Sequence, residues 1–458
     1  MSTEDVVLWN HFQLSRECGE LTQWLCGNAP GTFSIDFKAP GLPSFLGQYF
    51  YEVSPWPVLI SAQVREQFSE VVREFPALMS RCILKFYEGD LAGFSARYQV
   101  PELIYHLLGE TEGGADDQLV RYDLVMVDQQ PKLLEANVGS NIGGWQISWL
   151  WEQLAQSVKR HPGGTDWSLS HTSPAESFLR HIHRATHAHV GAKTVGNVLL
   201  MVDEFYLKHG FHKDLGAIYQ RLVAETELPG KLLFACDLDG LSFNAAGRAV
   251  LRGEIVDCVL MTASSHKMGV ELSRAHVRRL LFYPDNAIYT MLGDKTNFAV
   301  MHAMRSAGKL NANDARLVEH LVPWSAFLTE QPVTWGERSG TVRELSLAHK
   351  DELVLKRGLS FQGKDVYVGR FQTPEEWARA IAAAGTGGDW LVQEYCRPDR
   401  LYAPAAESGA IDEHDAVWGV FGFGRNYGGS WGRMMKSATG EGVVNSARGA
   451  KEFLVLEV

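Results

Sequence analysis

The feature that most constrains this chain is a pair of short segments that alternate apolar and polar residues on either side of a turn. Residues 121–127 read Arg-Tyr-Asp-Leu-Val-Met-Val, residues 128–131 carry turn formers, and residues 132–137 read Lys-Leu-Leu-Glu-Ala-Asn. Side chains of a strand point alternately to the two faces of a sheet, so the pattern predicts a hairpin. With the turn centred near Gln129, Asp123 lies opposite Glu135 and Arg121 opposite Asn137. The four polar groups then share one face, while Leu124, Met126, Leu134 and Ala136 take the other. Two carboxylates and an amide oxygen suit Mg²⁺, a hard cation that keeps coordination positions for phosphate and water. An arginine beside them offsets charge on a phosphoryl group in transfer. The same alternation also describes a solvated hairpin face crossed by salt bridges. Spacing alone leaves both readings open.

A chain of 458 residues exceeds one ordinary hydrophobic core, so two or three domains are expected. Residues 1–118 read as mostly helical, with helices predicted over 62–75 and 101–108. The hairpin and helices over 145–161 and 175–190 make a second region, 119–191. Between 192 and 292 strands (198–202, 231–236, 255–261) alternate with helices (215–225, 271–281), the pattern of a small α/β domain. The region 293–458 starts a helix at Asn297 and follows with short strands at 353–356, 365–369 and 390–395, a helix at 374–384, and a tail of strands and glycine turns. The fold class is therefore mixed α/β (α+β).

Composition narrows the function. Forty-three Lys and Arg stand against 54 Asp and Glu, a formal charge of −11, and the basic residues form no cluster beyond pairs such as Lys159-Arg160. A nucleic-acid backbone needs such a cluster, so nucleic acid is not an expected partner. The six cysteines form no C-x-x-C pair, which excludes zinc-ribbon and redox-motif readings. The amino terminus lacks the basic-then-apolar order of a signal peptide, and no run of 18 apolar residues exists. No membrane association and a cytoplasmic location are expected; oligomeric state is not readable.

A second set of polar residues lies in the last third. Gly293-Asp-Lys295 precedes a helix, Lys356 ends a strand, and the loop from Arg357 to Gln362 leads to Gly363-Lys364. Lysines and a glycine-containing loop are the chemistry that cradles a triphosphate, although a lysine beside a hairpin loop is more often simply solvated.

Taken in order, these motifs resemble the synthetase domain of glutathionylspermidine synthases and their bacterial relatives. The run from Arg121 to Ser140, with its twelve-residue interval between Asp123 and Glu135, is similar to that family's metal-binding stretch. The resemblance continues through Lys295, residues 320–324, Lys356, residues 363–369 and Gln393-Glu394, and covers roughly 119–458. It implies an ATP-grasp fold of the circularly permuted type, because the hairpin precedes the lysines, with 192–292 as a pre-ATP-grasp α/β domain. It implies ATP and Mg²⁺, with Asp123, Glu135 and Asn137 holding the metal and Arg121 near the γ-phosphate. It also implies Lys295, Lys356, Gly363 and Lys364 on the ATP phosphates, with Gln393 and Glu394 in the strand that meets adenine. Arg433 and Asn445 match the family's final strands, where such residues approach phosphate or substrate. Relatives commonly continue after the Asn into an Ala-Asp-Thr-Pro-Thr type run. This chain has residues 138–144 as Val-Gly-Ser-Asn-Ile-Gly-Gly, which makes Ser140 and Asn141 the candidates for gripping the acid.

The implied activity is an ATP-dependent carboxylate–amine ligase that forms an amide through an acyl phosphate and releases ADP and phosphate. Its substrates would be small acids and amines of amino-acid, peptide or polyamine type. The alternative is a nucleotide-binding regulatory or scaffold protein without turnover. A dehydrogenase built on 192–292 is a third option that lacks a glycine fingerprint. The histidines at 181, 183, 187 and 189 include one i, i+4 pair and no acidic ligand, so a structural helix is favoured over a metal cluster. Cys18, Cys26 and His11 invite a thiol-hydrolase reading, but a buried thiol is the simpler account.

Overall fold

The computed structural model describes residues 3–28, 33–110, 114–261, 268–360, 365–404, 410–437 and 442–458. The predicted hairpin is present as the strands Leu119–Val127 and Gln130–Val138, with Asp123 opposite Glu135 and Arg121 opposite Asn137. Its turn consists of Asp128 and Gln129, both with positive φ, 48° and 66°. Two such residues give the twist that joins antiparallel strands tightly. The Asp399 carboxylate accepts from both turn amides, at 3.1 and 3.0 Å.

The alternation fails at one place. After the Asp123–Glu135 pair the register slips, so that Leu124 faces Leu133 and Leu134 is an extra residue. Strict alternation puts Leu134 on the core face with Ala136; instead it joins Glu135 in lining the polar side. A bulge of this kind bends the strand and leaves a residue out of the ladder.

The hairpin is one edge of a seven-stranded sheet. From the other edge the order runs Val58–Ile60, Lys451–Glu457, Asn426–Lys436, Ile411–Phe423, then the two hairpin strands, with Arg400–Pro404 also paired to Ile411–Phe423. All pairings are antiparallel except Val58–Ile60 against Lys451–Glu457. The helix Ala62–Phe86, capped by Ser61, covers the sheet's apolar face with Val64, Phe68, Val71, Phe75, Leu78 and Cys82, a spacing of three to four residues. Phe68 meets Trp418 and Phe75 meets Tyr122, each at 5.6 Å between rings. The sequence pattern stops this helix at residue 75, but it continues through Pro76, which is buried in the same interface. Packing here outweighs the loss of one backbone bond.

A second, four-stranded antiparallel sheet has the order Ser325–Phe327, Trp390–Glu394, Leu353–Arg357, Val366–Val368. Helices Val342–Ala348 and Pro374–Ala384, each opened by a Thr–Glu capping box, back it around Trp377, Ile381, Leu353 and Leu355. Its other face turns toward the hairpin.

Residues 192–292 contain a parallel sheet, Leu232–Ala235, Val198–Met201 and Cys258–Met261, and a small antiparallel one. The single strand expected over 255–261 is two strands, broken at Asp257. That buried carboxylate accepts from Thr194 Oγ1 and the amides of Val195 and Gly196, and pairs with Arg248. Residues 145–161 likewise hold a short 3₁₀ turn, Gln146–Leu150, before the helix Trp151–Val158. Among the described residues no helix is long and apolar enough to cross a membrane.

Candidate functional site

The polar face of the hairpin and the open face of the four-stranded sheet form the two walls of a cleft. Asp123, Leu134, Glu135, Asp415, Val417 and Arg433 line one wall, and Val354, Lys356, Gln393, Glu394 and Tyr395 line the other. The cleft is thus built by two sheets that the chain makes in separate regions.

Asp123 sits at its base, 2% exposed. Arg121 holds both of its oxygens, Nε to Oδ1 at 2.7 Å and Nη2 to Oδ2 at 3.0 Å, and Arg433 Nη2 donates to Oδ2 at 2.6 Å. Burial by itself would raise the carboxyl's pKa; the two guanidiniums outweigh it and hold the group at about 2. Both guanidiniums also lie over the Trp431 ring, at 5.8 and 5.4 Å from its centroid. The indole fits only because Gly144 and Gly419 flank it: a Cβ on either would overlap the ring. Gly144 also has φ +100°, a conformation glycine adopts readily.

Glu135 is partly exposed. Its Oε2 lies 3.2 Å from Lys295 Nζ, and its Oε1 accepts from Asn137 Nδ2 at 3.3 Å. Lys295 also donates to the Ser360 carbonyl at 2.8 Å. The turn that presents Lys295 is fixed from a distant part of the chain: Arg97 donates to Asp294 at 2.8 Å and to the Gly388 carbonyl at 2.7 Å. Lys356, 7% exposed, donates to Gln393 Oε1 at 2.6 Å and to the Leu134 carbonyl at 3.1 Å. Burial depresses its pKa to about 8, against the opposing pull of Glu135. Gln393 passes the network on to Ser325 Oγ at 3.2 Å, and the Glu394 carboxylate accepts from the Trp324 amide at 3.4 Å.

The structure therefore brings Arg121, Asp123, Glu135, Asn137, Lys295, Lys356, Gln393, Glu394 and Arg433 together. Asn445 reaches the same cleft, its side chain capping a short turn through the Ala447 amide at 2.8 Å. Gly363 and Lys364 lie outside the described residues. Ser140 and Asn141 stand apart, on the rim of a neighbouring cavity. The Ser140 hydroxyl and amide both donate to Asp285, each at 2.6 Å, so toward the cavity this hydroxyl has only acceptor capacity left. The sequence reading missed Trp431, the Leu134 carbonyl and the Gly143 carbonyl, which accepts from Arg121 at 2.9 Å. The glycines around Trp431 were a visible signal, since an indole beside Gly-rich strands marks close packing.

Four cations (Arg121, Arg433, Lys295, Lys356) thus gather about Asp123 and Glu135, while Asp415, Glu394 and Lys436 also line the cleft. The clustered cations suit a polyanion. Two carboxylates and an amide oxygen are a hard-oxygen donor set that fits a divalent ion accompanying such a polyanion.

No family model matches the chain, and no curated protein sequence matches it. Among solved structures it is similar to a glutathione synthetase-like effector from Globodera pallida in its apo form, at 11% identity and a TM-score of 0.56, over 97% of this chain and 96% of that one. It also aligns with a candidate gamma-glutamylcysteine synthetase from Methylobacillus flagellatus, at 10% identity and a TM-score of 0.38, over 84% of this chain and 88% of that one. The first likeness shows a shared overall fold along nearly the whole chain.

Proposed function

We propose that the protein is an ATP-dependent carboxylate–amine ligase with a circularly permuted ATP-grasp architecture, forming an amide through an acyl phosphate. The observation that carries this reading is the cleft between two sheets, with Asp123, Glu135 and Arg433 on one wall and Lys356 and Gln393 on the other, and Arg121 paired to Asp123. The division of the chain at 118, 191 and 292 follows the same reading, with 192–292 as the pre-ATP-grasp unit and 293–458 as the nucleotide side. The synthetase-like protein that shares the fold is in keeping with it.

In this mechanism the polyphosphate of ATP lies along Lys295 and Lys356, and the adenine stacks toward Gln393, Glu394 and Tyr395. Asp123, Glu135 and Asn137 would hold Mg²⁺, which when bound offsets charge on the phosphate oxygens. An oxygen of the substrate carboxylate attacks the γ-phosphorus, the bond to the β-phosphate oxygen breaks, and ADP leaves with the electron pair. Arg121 and Arg433 face the charge that gathers on the transferring group. A neutral amine then attacks the acyl carbon, phosphate departs, and the amine's proton is lost to phosphate or solvent. The enzyme forms no covalent bond.

The test is ADP release on addition of acid and amine pools, with mass detection of the condensed product. Asp123→Asn and Glu135→Gln are expected to lower turnover at least a hundred-fold. Full turnover in both would remove the metal-site assignment, and absence of any nucleotide binding would remove the ligase reading as well.

A further inference from the structure

A second cavity shares no lining residue with the cleft. The loop carrying Ser140 to Gly143 forms part of its rim, and the Gly143 carbonyl accepts from Arg121. Arg121 thus links the loop on the cavity's rim to Asp123 at the base of the cleft.

The chemistry of this cavity is the reverse of the cleft's. Trp145, Phe178, Tyr206, Phe211, Phe421 and Phe423 line it, among aliphatic neighbours. The rings brace one another: Trp145 and Tyr206 each lie 5.2 Å from Phe211, and Phe178 lies 5.5 Å from Phe423. Among the described residues that line it, Asp203 carries the one acidic or basic side chain. That carboxylate stands exposed at the head of the short helix Glu204–Lys208 without capping it, and among the described residues it has no hydrogen-bond or ion-pair partner. A solvated carboxylate beside aromatic faces suits one ammonium group on an apolar body, through charge at Asp203 and through the rings' negative faces.

We infer that this cavity binds one of the two substrates, and that this substrate is a small ring-bearing molecule with a single ammonium group. The word substrate rests on the ligase reading; the binding itself does not. A polyamine fits poorly, because its second and third charges would be buried against rings with no carboxylate to pair them. A small polar amine would leave the aromatic wall unfilled. A purely anionic molecule would face Asp203 without a counter-charge.

The test uses the full chain and three probes, phenethylamine, phenylacetate and spermidine, titrated calorimetrically, with MgATP titrated in parallel. Phenethylamine is expected to bind at least ten-fold more tightly than the other two. Asp203→Asn, at an exposed position whose side chain bonds nothing, is expected to weaken phenethylamine at least ten-fold and to leave MgATP affinity unchanged. Tyr206→Ala is expected to weaken it with Asp203 intact. Absence of phenethylamine binding, equal or tighter binding of spermidine or phenylacetate, or an Asp203→Asn variant that binds as the parent does would each overturn the inference. Phenethylamine binding that depends on Asp203, in a protein that never releases ADP, upholds the cavity's assignment and removes the ligase reading. ADP release with polar amines alone, and no aromatic-amine binding, does the opposite.

Discussion

Lys356 Nζ donates to the backbone carbonyl of Leu134 at 3.1 Å. The second hairpin strand is the edge of its sheet, so alternate carbonyls along it face away from the neighbouring strand. The Leu134 carbonyl reaches across the cleft and fixes the ammonium beside Gln393. This bond thus ties the two sheets together at the point where phosphate is proposed to lie.

Lys356→Met removes that tie and one of the four cations. Charge-assisted bonds contribute about 1.5–3 kcal/mol, so MgATP affinity is expected to fall at least ten-fold. Lys356→Arg is expected to fail as a rescue, because a planar guanidinium does not fit a site shaped for a compact ammonium between two carbonyl-type acceptors. Titration of both variants with MgATP checks this, and an arginine variant that binds like the parent would contradict it.

Arg433 and Asp123 are separated by 310 positions in the chain yet share a bond of 2.6 Å. Arg433→Gln leaves the buried Asp123 with Arg121 alone. The cost of breaking a buried pair is about 3–5 kcal/mol when one charge is left uncompensated; here Arg121 remains, so the lower end is expected. Adding Asp123→Asn should restore part of the thermal midpoint lost to Arg433→Gln. Strict additivity of the two substitutions would show that the pair is not coupled.

What could be read from the chain and what could not divides along physical lines. Local periodicity exposed the hairpin, because its two strands lie close in sequence; the Asp123–Glu135 pair expected from a turn centred at Gln129 is reached by a turn at Asp128-Gln129 together with the Leu134 bulge. The helix at 374–384 was legible from its Pro-Glu-Glu start; the structure adds Thr373, whose capping box with Glu376 opens it. The Leu134 bulge was not, since nothing in a Leu-Leu-Glu run marks the extra residue. Nor was the break at Asp257, an interior carboxylate that accepts from Thr194, Val195 and Gly196, 61 to 63 positions earlier. Partnerships such as Arg433 with Asp123, or Arg97 with Asp294, depend on how distant strands and turns are brought together, information that no local window contains. The lysines were found through the ordered set of motifs, not through spacing.

His11 supplies a stability prediction. It is buried, its Nε2 accepts from the Tyr402 amide at 2.8 Å, and its Nδ1 faces Thr22 Oγ1 at 3.0 Å. Burial lowers its pKa to about 3 from 6.5. Between those values the unfolded chain takes up a proton that the folded chain refuses, so stability falls as pH drops from 6.5 toward 3 and is unaffected by this group above 6.5. The slope from one such histidine reaches about 1.4 kcal/mol per pH unit. His11→Gln is expected to flatten the decline of thermal midpoint between about pH 6.5 and 4.5, at the cost of a lower midpoint at about pH 7.5. A variant with the parent's slope would place the acid sensitivity in other buried histidines such as His276 and His302, whose pKa values burial also lowers.

The balance of charge in the cleft sets an order of binding. With Arg121 and Arg433 on Asp123 and Lys295 near Glu135, both carboxylates already have cationic partners. A free divalent ion must displace them while facing the remaining positive charge, and Mg²⁺ also dehydrates reluctantly. A polyphosphate reverses this, since it draws the lysines and arginines to itself and releases carboxylate oxygens to a cation it carries. Millimolar Mg²⁺ alone is therefore expected to leave the thermal midpoint unchanged. ATP with excess chelator should raise it slightly, and MgATP should raise it several degrees. The three scans, repeated in Glu135→Gln, separate the contributions: in that variant the increment between ATP and MgATP should shrink while the increment for ATP alone persists. A clear rise with Mg²⁺ alone would mean that the carboxylates hold the ion before the nucleotide arrives, contrary to what their cationic partners require.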